Sequence, residues 1–135
     1  MLFLKEFKVQ TNNQQDFIDI TGPVSQAVAE TGILEGSVLV FIPHTTAAVT
    51  LNENADPDVM EDIKGIVQKL VPLEGPYRHR EGNTAAHMMT SLMGNSQTIP
   101  IQRGRLLLGT WQGIYLAEFD GPRERRVVLQ LQGEG

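Results

Sequence analysis

An α+β chain richer in strands than in helices is predicted by three observations. Apolar residues recur at helical spacing in only three stretches, each with a polar cap or proline near its start and a glycine or proline at its end. Alternating or continuous runs of β-forming residues occupy most of the remainder. The length of 135 residues supports one buried core and is too short for two, so a single domain over residues 1–135 is expected.

In chain order, Phe3, Phe7 and Val9 share one parity while Lys5, Glu6 and Lys8 interrupt the rest, which predicts a half-exposed strand over 2–10. A short strand follows over 16–20. Thr21 is placed to cap a helix with Pro23 in its first turn and Val24, Ala27 and Val28 on its inner side, stopped by Gly32. Val38 to Pro43 is a continuous apolar run, read as a strand buried on both faces, and Ala47 to Leu51 is read as its neighbour. Asp56-Pro57 opens a second helix whose stripe of Val59, Ile63, Ile66, Val67 and Leu70 ends before Pro72. Residues 72–83, with two prolines, two glycines and several charges, form the longest loop, and loops of that length tend to carry function. Asn83 caps a third helix with Ala85, Met88, Met89 and Leu92 on one side and Gly94 as its stop. Strands then follow over 96–102, 105–109, 113–119 and 125–132, with Gly121-Pro122 in the last turn.

Composition excludes several function classes. A formal net charge of -5, with Arg123, Arg125 and Arg126 as the only basic cluster, argues against a nucleic-acid partner. The absence of cysteine excludes a disulfide framework, a thiolate metal site and a cysteine nucleophile. No segment has the length and apolarity to cross a membrane, and Met1-Leu2-Phe3-Leu4-Lys5 does not read as a signal peptide, so a cytoplasmic protein without a membrane partner is expected.

The residues able to carry chemistry stand in polar, turn-like settings. His44, His79 and His87 are candidates for a shared metal site, because three imidazoles with one open position are a catalytic zinc arrangement; the alternative is that each bonds its own loop. Glu53 and Asp56 are placed to support a histidine or to act as a base, although Asp56 before Pro57 is the expected helix cap and needs no chemistry to explain it. His79-Arg80-Glu81-Gly82-Asn83 leads into a helix start, where free N–H groups favour an anion such as phosphate; ordinary capping explains Asn83 as well. Arg123 suits a bidentate clamp on phosphate, and Glu118 and Asp120 flank it in what is also a plain turn with an ion pair. Trp111, the only tryptophan, lies between Gly109-Thr110 and Gln112-Gly113, a setting that suits either a wall for an aromatic ring or an interface.

Ser96-Gln97-Thr98-Ile99-Pro100-Ile101, Gly104 and Leu108-Gly109-Thr110-Trp111-Gln112-Gly113-Ile114 together resemble the signature of the YjbQ-like family, whose members have been linked to secondary thiamine-phosphate synthase activity. Pro43-His44-Thr45-Thr46-Ala47-Ala48, Asn52-Glu53-Asn54-Ala55-Asp56-Pro57, His79 to Asn83, His87 and Glu118 to Arg123 extend the likeness over most of the chain from Gly36 onward. The resemblance implies a sandwich-like α+β fold of mostly antiparallel or mixed sheets with about three helices, assembled as a homotrimer. It implies a transferase that joins an aminopyrimidine diphosphate to a thiazole phosphate at a His-rich site with a divalent metal, zinc or magnesium. In that reading Glu53, His79 and Arg123 are catalytic, and His44, His79 and His87 hold the metal. Asn54, Asn83, Thr110, Trp111 and Glu118 contact a small phosphorylated substrate. Two alternatives stay open: a metal-dependent hydrolase of a simple phosphate or ester, with Glu53 as base, and a non-catalytic trimer that binds a metabolite.

Overall fold

The computed structural model describes residues 1–135, and its elements follow the predicted order. They are β1 (Leu2–Gln10), β2 (Asp16–Asp19), α1 (Thr21–Thr31), β3 (Glu35–Phe41), β4 (Ala47–Glu53), α2 (Pro57–Leu70), α3 (Thr84–Met93), β5 (Ser96–Gln102), β6 (Arg105–Leu106), β7 (Gln112–Glu118) and β8 (Glu124–Glu134). Two sheets form, a five-stranded one in the order β1-β8-β3-β5-β6 and a three-stranded one in the order β2-β7-β4. Every strand pair is antiparallel, so of the expected antiparallel or mixed sheets only the antiparallel kind occurs.

The three-stranded sheet is the middle layer. One of its faces, through Val49, Ile114 and Leu116, meets Val38, Val40, Val127, Leu129 and Leu131 of the larger sheet, with Val24 and Val28 of α1 completing that core. Its other face, through Ala48 and Ala117, meets Ala85, Ala86 and Met89 of α3 and Phe119. β7 is therefore the strand buried on both faces, with only Gln112 exposed. β3 is not: Val38 and Val40 point inward, while Phe41 is 41% exposed on the open face of the larger sheet.

The expected pairing of β3 with β4 does not form, because the chain changes sheets between them. β3 pairs with β5 and β8, whereas β4 pairs with β7. The crossing segment is held by Asn95, whose side-chain amide nitrogen lies 3.1, 2.9 and 3.1 Å from the carbonyl oxygens of Ile42, His44 and Ala47. A clamp from a residue so distant in sequence replaces the hairpin turn that adjacency suggests.

Helix starts also differ in part from expectation. Asp56 caps α2 by accepting from the Asp58 N–H at 2.9 Å, with Pro57 in the first turn. Thr21, by contrast, lies inside α1; its hydroxyl oxygen accepts from the Ile114 N–H at 2.8 Å, and Asp19 Oδ1 receives the Thr21 N–H at 2.9 Å. Asn83 occupies the cap position of α3 but forms no capping hydrogen bond, because its side chain turns to Asp120. The apolar stripes are rotated too: Ile66, Leu70, Met88 and Leu92 face outward, and α3 buries Ala85, Ala86, Met89 and Thr90 instead. Strand β6 stops at Leu106, so Leu107 to Thr110 lead irregularly into β7.

Candidate functional site

The site is built on a buried ion pair at the end of β7. Glu118 and Arg125 are almost wholly removed from water, at 0% and 3% exposure, and they pair directly. Glu118 Oε1 accepts from Arg125 Nε at 2.8 Å and from the Thr11 hydroxyl at 2.7 Å, and Glu118 Oε2 accepts from Arg125 Nη2 and from the Asp120 N–H at 3.0 Å. Arg125 Nη2 also donates to the Thr46 hydroxyl oxygen at 2.9 Å. A carboxylate in so little water must be paired, and here both oxygens are engaged. Within the chain Glu118, expected to contact a substrate, is instead placed as an internal strut: it fixes the Asp120 N–H directly and Thr46 through Arg125.

Asp120 passes that order outward. Its carbonyl oxygen accepts from Arg123 Nε at 2.7 Å, and its Oδ2 accepts from Arg123 Nη2 at 2.9 Å and from Asn83 Nδ2 at 2.8 Å. Arg123 Nη1 has no partner in the chain. The turn that makes this possible is tight: a Cβ on Gly121 would lie 2.3 Å from the Asn13 carbonyl oxygen and 2.8 Å from the Thr11 hydroxyl. Around Arg123 opens a hollow of about 230 Å³ lined by Thr45, Thr46, His79, Glu81, Asn83 and His87, with no apolar residue. The rings of His79 and His87 meet edge to face with centroids 5.5 Å apart. Asn83 Oδ1 and Thr84 Oγ1, at the start of α3, are buried without a hydrogen-bond partner.

His44 stands apart from this pair. Its Nε2 accepts the Arg126 backbone N–H at 2.9 Å, and the ring opens onto a neighbouring hollow of about 440 Å³ with Phe41, Pro43, Thr45 and Asn95. Burial first, then the positive charge of Arg125, lowers its pKa from the usual 6.5, against the opposing pull of Glu118. No group of three or more His, Asp or Glu side chains is placed to hold a metal ion, so the three-histidine centre is not assembled within one chain. Only His79 and His87 of that set come together.

The remaining candidates lie at the other end of the middle sheet. Ala47 pairs with Glu118 and Glu53 with Gln112, so Glu53 is about 20 Å along β4 from the Thr46 end, at about 3.3 Å per residue. Trp111 is 62% exposed there and its carbonyl oxygen accepts from the Asn54 N–H at 2.9 Å. The Asn54 side chain packs where a Cβ on Gly113 would sit, within 2.7 Å. The Tyr115 hydroxyl donates to the Glu53 carbonyl oxygen at 2.9 Å, and burial together with the Asp19 and Glu53 carboxylates raises its pKa. Within one chain, Glu53, Asn54, Thr110 and Trp111 are thus separated from His79, Asn83, His87 and Arg123. Sequence reasoning missed Arg125 and Thr46, whose roles depend on contacts across the two sheets.

Comparison with known proteins gives a consistent result. The family model described as "UPF0047 protein YjbQ-like" matches residues 5–134. The chain is 49% identical over 131 residues to the UPF0047 protein YugU of Bacillus subtilis, covering 96% of this chain and 99% of that one. It is 45% identical over 134 residues to the UPF0047 protein MJ1081 of Methanocaldococcus jannaschii, covering 99% and 96%. The crystal structure of an uncharacterized conserved protein of the YjbQ/UPF0047 family from Clostridium acetobutylicum superposes with a TM-score of 0.93 at 53% identity, covering 95% of this chain and 99% of that one.

Proposed function

The chain belongs to the UPF0047 protein YjbQ-like family, and from that premise we propose that it is a transferase, similar to the secondary thiamine-phosphate synthases, acting on small phosphorylated heterocycles. The observation that carries the reading is the convergence of His79, His87 and Arg123 with the start of α3 on one wholly polar hollow. Arg123 is held by Asp120 through one edge of its guanidinium, which leaves Nη1 to face a phosphate oxygen. His79 and His87 supply ring N–H donors beside it. The α3 N–H groups add a positive end.

In the reaction the thiazole ring nitrogen attacks the methylene carbon of the aminopyrimidine. A C–N bond forms, the C–O bond to diphosphate breaks, and its electron pair leaves with the diphosphate. The ring nitrogen is itself the nucleophile, so what the protein must supply is orientation and stabilisation of the departing charge. Arg123 and the two histidines are suited to that task.

The assembly belongs to the same proposal. The open face of the larger sheet carries Leu4, Gln130, Leu39 and Thr98 in one cross-strand row, and Leu4 is 75% exposed. Exposed apolar side chains such as Leu2, Leu4 and Phe41 on an uncovered sheet face call for a neighbour, and a homotrimer supplies one.

The test is a coupling assay with both heterocyclic phosphates, read as diphosphate release, together with calorimetric binding. Arg123→Ala should weaken inorganic phosphate and a ring-bearing phosphate alike, whereas Trp111→Ala should weaken only the ring-bearing one. Hydrolysis of a simple phosphate ester without a second substrate would replace the transferase by a hydrolase. Binding without turnover would leave a metabolite-binding protein.

A further inference from the structure

The three histidines are not chemically equivalent, and the difference is set by one backbone hydrogen bond. The Arg126 amide nitrogen can only donate, and it lies 2.9 Å from His44 Nε2. Nε2 must therefore present its lone pair inward, toward β8, and carry no proton. A neutral imidazole has one proton, so it sits on Nδ1. No acceptor within the chain meets Nδ1.

We infer that His44 is a fixed neutral donor that offers Nδ1–H to an oxygen of the bound molecule, and that it is neither a metal ligand nor a proton acceptor. A metal needs a free nitrogen lone pair. In His44 one lone pair is bound to the Arg126 N–H, and the other nitrogen carries the proton. The ring is also held in place from its own backbone, since the His44 carbonyl oxygen accepts from Asn95 Nδ2 at 2.9 Å. Two residues on, Thr46 is gripped by Arg125 Nη2 at 2.9 Å. His79 and His87 differ on each count: their ring nitrogens have no hydrogen-bond partners in the chain, and their rings meet edge to face in the wall of the polar hollow.

Thr45 lines both the hollow of His79, His87 and Arg123 and the adjoining hollow of His44. Because the two hollows share Thr45, a molecule with two oxygen-rich groups, such as a diphosphate, is the ligand class that suits both. His44 then binds the second group, an assignment that rests on the proposed function for its ligand and on the hydrogen bond alone for its tautomer.

Ring-nitrogen NMR spectra of the ¹⁵N-labelled full-length protein test this. Because His79 and His87 are not buried, the His79→Gln and His87→Gln variants identify their signals, and His44 follows by elimination. The expected spectrum shows His44 with its proton on Nδ1 and an unprotonated Nε2. Inorganic diphosphate should shift the His44 Nδ1–H signal, and Zn²⁺ should perturb His79 and His87 while the His44 pattern is retained. A proton on His44 Nε2, or loss of the Nδ1–H signal on adding Zn²⁺, overturns the inference. Diphosphate that shifts His79 and His87 but leaves His44 unmoved overturns the donor role alone. Diphosphate that shifts none of the three overturns the proposed function with it.

Discussion

Glu118 and Arg125 lie seven residues apart in sequence, on strands of different sheets, and each is the other's only charged partner, with Thr11, Thr46 and the Asp120 N–H completing their hydrogen bonds. Removing one partner strands the other as a buried charge, so Arg125→Met should cost about 3–5 kcal/mol in urea unfolding. The double replacement Glu118→Leu with Arg125→Met should cost much less than the two single changes added together. Arg123 behaves oppositely. Its pair with Asp120 is half exposed, so Arg123→Ala should change stability by about 1 kcal/mol or less while weakening phosphate binding measured by calorimetry. His44 adds a pH effect with a defined sign. Its folded pKa lies below the unfolded value near 6.5, so its contribution is fully present above pH 6.5. As pH falls below that value the unfolded chain takes up the proton first, and stability declines until the folded ring protonates as well. The urea midpoint of the wild type should therefore drop more steeply below pH 6.5 than that of His44→Gln; equal slopes would show that the ring is not held neutral.

At the scale of elements, helix α1 is fastened to β7 by Thr21, whose oxygen receives the Ile114 N–H in a setting where Ile114 is fully buried. Thr21→Val should leave that N–H without an acceptor and cost about 1–3 kcal/mol, whereas Asp56→Ala, which removes an exposed cap, should cost about 1 kcal/mol; thermal or urea unfolding separates them. The contrast also shows what the sequence makes legible. Asp56-Pro57 is a local signal and predicts its helix start correctly, because cap and amide lie within two residues. Thr21 carries the same local signal, yet its oxygen is claimed by a strand far along the chain. Strand and helix positions follow from periodicity for the same local reason. Strand partners do not: adjacency suggests a β3-β4 hairpin, and only the Asn95 clamp and the pairing of β4 with β7 show that the chain crosses between sheets. The candidate site divides along the same line. His79, Asn83, His87 and Arg123 meet where the α3 start faces the β7-β8 turn, whereas nothing in a linear string tells that Glu53 and Trp111 lie at the opposite end of β4 and β7.

On the scale of the whole molecule, that separation has a consequence for assembly. One end of the middle sheet presents a polar hollow, and the other, about 20 Å away, presents an exposed indole with Glu53 and Asn54 beside it. A ligand with both a ring and a phosphate cannot touch both ends of a single chain. In a cyclic trimer the contacts are head to tail, so unlike surfaces of successive copies meet, and the Trp111 end of one copy can close over the His79 end of the next. Light scattering at low micromolar concentration should accordingly return a trimer rather than a monomer or dimer. Mixing tests the sharing directly. Trp111→Ala and Arg123→Ala homotrimers should each bind a ring-bearing phosphate weakly. After the two are unfolded together and refolded, mixed trimers should recover tight binding at those junctions where an intact Trp111 faces an intact Arg123. At equal amounts of the two variants, random assembly makes such junctions a minority, so partial recovery is the expected reading. Recovery absent from a mixture shown by mass spectrometry to contain mixed trimers would mean that each copy binds its ligand alone, and that Trp111 serves packing between copies.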